Sequence, residues 1–294
     1  MTASPATDAV QLFVPAHITG LFSVHRRDAP RTTGSRGAGI TLTDGIHLEI
    51  APAERTQVEL DGSAIHVSAV DQVCEAFDQH ATIRIHSDVP LGSGFGVSGA
   101  MALGTALGLN TFAAQPRTEN ELTEIAHVAD VEAGTGLGDV VAQMRGGIPL
   151  RREPGAPGYG ELDGIAARAR IEYLPLGDLS TQTVLSGDLT QLNAAGEAAL
   201  DRLLADPTLD RFMEEASRFA RASDLLTADV ATVLETVNTT APQASMAMLG
   251  RTVFAVGTAL SDAGYEPASC AIDVGGARRT DVGVFNPADD HEVV

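Results

Sequence analysis

The segment that most constrains this chain is SDVPLGSGFGVSGAMALGTALGLN, residues 87–110. Before it, ATIRIHSDV (81–89) reads as a strand, with Ile83 and Ile85 on one face. After the loop, residues 98–112 read as a helix made almost wholly of small and apolar residues. Such a helix has no polar face to offer to water, so it is expected to be buried on most sides. A core must therefore wrap around it, with a glycine-rich loop delivered to its N-terminus.

Gly94-Phe95-Gly96-Val97-Ser98-Gly99 spells G-x-G-x-x-G, the pattern of a dinucleotide-binding turn. That reading, and the NAD-dependent oxidoreductase it would imply, needs a strand after the helix and an acid about 20 residues on. Here the helix runs through AAQPR into a second helix, ENELTEIAHVADVEAG, opened by a Thr118/Glu121 capping box and stopped by Gly134. Glu119 has the right spacing but falls on a helix. A Walker-type loop needs a lysine at the phosphates, and all 19 basic residues of this chain are arginine. What remains is an anion-binding loop. Pro90, Gly92, Ser93, Gly94, Gly96, Ser98 and Gly99 would turn backbone N–H groups toward a phosphate at the helix N-terminus, with the Ser98 hydroxyl facing the phosphate or its Mg²⁺. Taken alone, the loop is explained as well by tight packing of a small-residue helix.

A second constellation, AHVADVEAGTGLGDVVAQMRGG, lies at 126–147. His127 and Asp130 are three residues apart and share a helix face. The GTGLG turn then presents Asp139. One carboxylate on a helix can hold a metal, and a second on a tight turn can accept a proton from a substrate hydroxyl. Each also has a plainer reading: a solvated helix residue for Asp130, an N-cap for Asp139, a packed histidine for His127.

The two segments together resemble the GHMP small-molecule kinases. PLGSGFGVSGA (90–100) is similar to that superfamily's second motif, P-x3-G-[LF]-G-x-S-[AG]-A, and GTGLGD…GG (134–147) to the segment bearing its catalytic aspartate. FVPAHITGLFSVH (13–25), TGSRGAG (33–39), GGIPLRREPGAPG (146–158) and CAIDVGGAR (270–278) resemble its archaeal pantoate kinase branch. The resemblance implies ATP and Mg²⁺ as cofactors and pantoate as the small-molecule substrate. It implies Asp139 as base, Ser98 at the Mg·ATP phosphates, and Asp130 as metal ligand where the family usually has glutamate, with Glu132 as the fallback. Ser23, His127 and Arg151 would bind the pantoate carboxylate and hydroxyls, and Gly275 and Gly276 would lie near the phosphates. Another acceptor such as homoserine or mevalonate stays open within the superfamily. The implied fold is α+β, a GHMP kinase fold of two α+β domains, 1–175 and 176–294, with the nucleotide in the cleft between them.

The rest of the chain fits that class. Strands are expected at 11–14, 40–50, 168–174, 181–186 and 269–276, with a hairpin at Asp61-Gly62, a helix capped by Ser68, and helices from Leu189 to about Leu260 broken at Ala241-Pro242. The net charge of −20, from 39 acidic against 19 basic residues, leaves no basic stripe for nucleic acid. It would be screened within about 3 Å in molar salt, pointing to a halophile's interior. Two cysteines, no signal-like N-terminus and no apolar run near ~20 residues point to a cytoplasmic protein without a membrane span. A homodimer is left open.

Overall fold

The computed structural model describes residues 9–178, 187–239 and 241–280. Its frame is a pair of long antiparallel strands, β1 (Val10–His25) and β2 (Gly34–Pro52). β1 is buried along nearly its whole length, with only Gln11 exposed, which is the signature of a strand covered on both faces. The expected strand at 11–14 is therefore only the start of one four times as long. Pro15, His17, Thr19 and Gly20 interrupt its apolar pattern, and the first and third coincide with slips in the β1–β2 register, between Pro15 and His17 and between Thr19 and Leu21.

Six strands form the path β12–β1–β2–β5–β3–β4. β3 (Gln57–Leu60) and β4 (Ser63–Ile65) are the expected hairpin, turning at Asp61 and Gly62, both with positive φ. β5 (Ala81–Ser87) pairs with the C-terminal half of β2, and β12 (Arg278–Arg279) pairs with β1. The N-terminal half of β2 instead pairs with β6 (Ile148–Glu153), which forms a hairpin with β7 (Glu161–Ile165). A second sheet has the order β11–β8–β10–β9, made of β8 (Arg170–Pro175), β9 (Ala244–Ala247), β10 (Thr252–Val256) and β11 (Ala268–Ala271).

On one side of the first sheet lie α1 (Ser68–Phe77), α2 (Val97–Phe112), α3 (Glu119–Glu132) and α4 (Asp139–Arg145), with α2 against β1, β2 and the other three helices. α2 is buried as its composition requires. The Thr118/Glu121 capping box is formed, and Gly134 follows the end of α3 at φ 70°. Ser68 is the first helical residue rather than the cap; Val67 occupies the cap position. On the other side, α5 (Thr190–Ala205) and α6 (Leu209–Ala222) pack on β1, and α7 (Ala228–Val237) packs on β9 and β10.

The helical reading fails beyond the break at 241–242. ASMA and TVFAV are short apolar runs whose period does not separate helix from strand. They pair as a hairpin, Thr252 with Ala247, and β10 pairs onward with β8. Only the four-residue α8 (Ala259–Asp262) is helical there. The expected strand at 269–276 shortens to β11, and 181–186 lies outside the described residues. Among the described residues no helix is long and apolar enough to cross a membrane.

One buried carboxylate ties α5 to α6. Glu215 is fully buried and meets Arg202 Nη2 of α5 at 2.8 Å and Arg211 at 3.8 Å, with Arg218 also on it. Without Glu215 its three arginines, each a third to a half exposed, lose their partner but keep water. Glu215→Ala is expected to lower unfolding free energy by about 1 kcal/mol, read as a shift of the denaturant midpoint at fixed salt.

Candidate active site

The glycine loop is held from three directions. His17 N–H donates to Phe95 O (3.0 Å), the Thr252 hydroxyl to Ser93 O (2.8 Å), and Gln143 Nε2 to Gly96 O (3.0 Å). Gly94 and Gly96 adopt φ of 90° and 64°, which side-chain-bearing residues rarely take. The first intrahelical bond of α2 runs from Ala100 N–H to Gly96 O. The N–H groups before it are left without intrahelical partners at the positive end of the helix. They open onto a cavity of about 530 Å³, within the usual range for a small-molecule site. Gly92, Gly94, Gly96, Ser98, Gly99, Thr135 and Asp139 line its polar side, and Ile65, Val67, Leu91, Met101, Met248 and Leu249 its apolar side. Because α2 leads directly into α3, the G-x-G-x-x-G has no βαβ unit and is no dinucleotide turn.

A chain of oxygens crosses the helix end. Ser98 Oγ donates to Thr135 Oγ1 (2.9 Å), which donates to Asp130 Oδ1 (2.6 Å). Asp130 is 2% exposed. Burial pushes its carboxyl up to about 7, against the pull of the Thr135 hydrogen bond, and the neighbouring Asp139 charge pushes the same way. Glu132 is exposed on α3 and does not line the cavity.

Asp139 opens α4 directly after Gly138 rather than sitting on the turn. Its Oδ1 lies 2.7 Å from Nδ1 of His17, a residue with no exposed surface. Burial would raise the Asp139 carboxyl, but the His17 hydrogen bond and the Arg151 charge outweigh it and hold it below the ordinary carboxylate range. Burial holds the His17 imidazole below its ordinary value, against the Asp139 bond. The pair is therefore a neutral imidazole donating Nδ1–H to a carboxylate, which can only accept. His17 Nε2 has no partner and rests on Gly39, where a Cβ would stand 2.2 Å away. Asp139 lines the cavity beside Gly96, while Asp130 lies behind Gly99, with its carboxyl raised where that of Asp139 is lowered.

Arg151 on β6 is 3% exposed, and its Nε and Nη1 have no partner. Burial lowers its guanidinium to about 10 against the Asp139 charge. The structure thus brings Ser98, Asp130, Asp139 and Arg151 together with the loop. The other candidates do not line this cavity. Pro90 is exposed, and Ser93 is buried, donating to Asp178 Oδ1 at 3.2 Å. His127 is buried and neutral, its Nε2 2.9 Å from Thr33 O. Ser23 donates to Glu197, which also holds His25 Nε2 (2.8 Å) and Arg36. Gly275 and Gly276 do not reach the cavity: their N–H groups bond Asp273 Oδ1, and Gly276 packs on Met144 at the far end of α4. His17, Thr135, Met248 and Leu249 went unmarked in the sequence. Only the isolated histidine inside the apolar run FVPAHITG offered a signal.

A glycine loop at the N-terminus of a buried helix, with a histidine-held carboxylate packed directly against it, places the chain among the GHMP-type kinases. Residues 64–147 match the GHMP kinases N terminal domain. Pantoate kinase of Methanocaldococcus jannaschii is 33% identical over 83% of this chain and 92% of its own, and that of Thermococcus kodakarensis is 33% identical over 84% and 87%. A solved structure titled "Phosphotransferase related to CoA biosynthesis pathway" superposes with TM-score 0.84 at 30% identity, covering 94% of this chain and all of that one. The chain is an ATP-dependent kinase and belongs to the pantoate kinase family.

Because the imidazole alone holds Asp139 from β1, His17→Ala should release the carboxylate. The expected result is at least a tenfold fall in kcat, of the order that loss of a positioned proton acceptor costs, with ATP affinity by fluorescence titration unchanged.

Proposed function

We propose that this enzyme phosphorylates the primary hydroxyl of pantoate with Mg·ATP, giving 4-phosphopantoate for coenzyme A synthesis. The observation that carries the reading is Asp139, an ionised carboxylate held by His17, lining the same cavity as the loop that binds phosphate. Family membership supplies the acceptor.

The loop N–H groups and the α2 terminus hold the triphosphate. The donors Ser98, Thr135 and Asp130 are all oxygens, which suits Mg²⁺. Mg²⁺ is commonly held by one or two carboxylates plus substrate phosphates, a set that Asp130 and the nucleotide could supply. When bound, Mg²⁺ neutralises charge on the transferring phosphoryl, a task that here has no lysine to share it. Asp139 accepts the proton of the pantoate hydroxyl as its oxygen attacks in line, and His17 keeps the carboxylate oriented. Arg151 offers two free N–H donors to the pantoate carboxylate, a charge-assisted contact. Ser23 and His127 complete the acceptor's surroundings, Ser23 after exchanging its bond to Glu197 for one to substrate. The two sheets form two lobes with the nucleotide between them. The lysine-free acidic surface suits a cytoplasm at high salt.

In a coupled ADP assay at high salt, pantoate should be turned over while homoserine and mevalonate are not; turnover of either in its place would overturn the acceptor. Asp139→Asn should reduce kcat by about 10²–10⁴-fold, and Ser98→Ala should raise the KM for Mg·ATP more than that for pantoate. A cation on Asp130 must displace the proton that burial retains there. Apparent Mg²⁺ affinity should therefore fall as pH drops below about 7, and in Asp130→Asn that pH dependence should vanish.

A further inference from the structure

Gln143 lies one turn after Asp139 in α4, on the same helix face, and is fully buried. Its Nε2 donates to Gly96 O at 3.0 Å, while its Oε1 has no partner. Gly96 O already accepts the Ala100 N–H at 3.0 Å, so that carbonyl needs no second donor. A buried, orphaned amide oxygen is destabilising, and an apolar side chain of the same length would pack there without it. The amide is therefore explained by where it puts Gly96, not by stability.

Gly96 is where the loop and Asp139 meet. It caps the N-terminus of α2 at φ 64°, and a Cβ there would stand 3.0 Å from Cβ, Cγ and Oδ1 of Asp139. α4 thus touches Gly96 twice, through Asp139 and through Gln143. The far end of α4 is anchored as well. Ala277 N–H donates to Gln143 O at 2.9 Å, and Gly147 N–H to Asp273 O at 2.6 Å. Thr41, opposite His17 in the β1–β2 ladder, accepts from Asp273 N–H and donates its own N–H to Gly147 O, both at 2.9 Å. The helix that carries Asp139 is held on β2 at one end and tied to the glycine loop by Gln143.

We infer that Gln143 is a positioning residue, whose amide sets the register between the loop that holds the phosphates and the carboxylate of Asp139. The inference rests on the reading of Asp139 as proton acceptor and adds what keeps it in place relative to the nucleotide. In-line transfer needs the acceptor oxygen, the phosphorus and the base aligned, and a misplacement of about 1 Å lowers such a rate by about 10²-fold. Gln143 does not line the cavity and acts through Gly96.

The test uses the full-length enzyme at high salt. Gln143→Met keeps the length of the side chain and removes the donor. Its kcat with pantoate should fall about 10- to 100-fold, with affinity for a fluorescent ATP analogue within about threefold of the unsubstituted enzyme. Gln143→Glu separates position from packing. With its proton, the introduced carboxyl donates to Gly96 O as the amide does; ionised, it can only accept. Burial and the ionised Asp139 one turn away both raise its titration, and the His17 imidazole that faces Asp139 is neutral. Dividing kcat by that of the unsubstituted enzyme at each pH removes the titration of Asp130 and Asp139. This ratio should fall at least tenfold as pH rises from about 6 to about 9, while that of Gln143→Met stays flat. A Gln143→Met kcat within about twofold of the original, a matching loss of nucleotide affinity, or a flat ratio for Gln143→Glu would overturn the inference while leaving pantoate kinase activity standing. Should Gln143→Met not fold, the Gln143→Glu ratio decides alone. Absence of pantoate turnover in the unsubstituted enzyme would instead remove the functional reading beneath it.

Discussion

The hydrogen bond between His17 and Asp139 joins the two parts of the molecule that the chemistry needs in register. His17 belongs to β1, which runs through the centre with helices on both faces. Asp139 begins α4, which no strand pairing fixes. At the two slips in the β1–β2 ladder, main-chain groups of β1 are released from the sheet. His17 N–H reaches Phe95 O in the glycine loop, and Thr19 O receives Met248 N–H from the β9–β10 turn. A β-bulge is a common device for re-aiming backbone and side chain next to an active site. Here one irregular stretch of β1 holds the glycine loop, the β9–β10 turn and Asp139.

Two neighbouring carboxylates can do different work only if their surroundings separate them. Asp130 is enclosed with two hydroxyls and no cation, so burial dominates and its proton is held to about 7. Asp139 has an imidazole donor and an arginine charge, so it stays ionised. The first is suited to exchange its proton for a cation, the second to take one from a substrate. The Arg151 charge helps keep Asp139 ionised, while its own Nε and Nη1 are buried without a partner.

Much of this was legible in the residues themselves. The small-residue helix, its glycine loop, the Thr118 capping box and the Asp61-Gly62 hairpin each depend on near neighbours in the chain, and each formed where local chemistry requires. Ser98, Asp130 and Asp139 could be selected because their two segments together resemble the GHMP kinase motifs; each alone had a plainer reading. Less legible were elements whose identity depends on distant partners. β1 reads as broken at Pro15, His17 and Gly20 because those residues answer to the site rather than to the strand period. The β9–β10 hairpin reads as helix because ASMA and TVFAV are short enough for either, and only pairing with β8 decides. The glycines at 275–276 looked like part of a phosphate motif, yet Asp273 folds them into a local turn behind α4.

The sequence by itself therefore determined the class of protein: a glycine loop without lysine and a following aspartate segment that match the GHMP kinases. Tertiary structure alone decided how the carboxylates differ. The ionisation of Asp130 and Asp139 depends on what faces them across 5 to 122 residues of chain, Thr135 in one case and His17 in the other. Burial and hydrogen bonding act through space, and a one-dimensional pattern carries no record of which groups will share it.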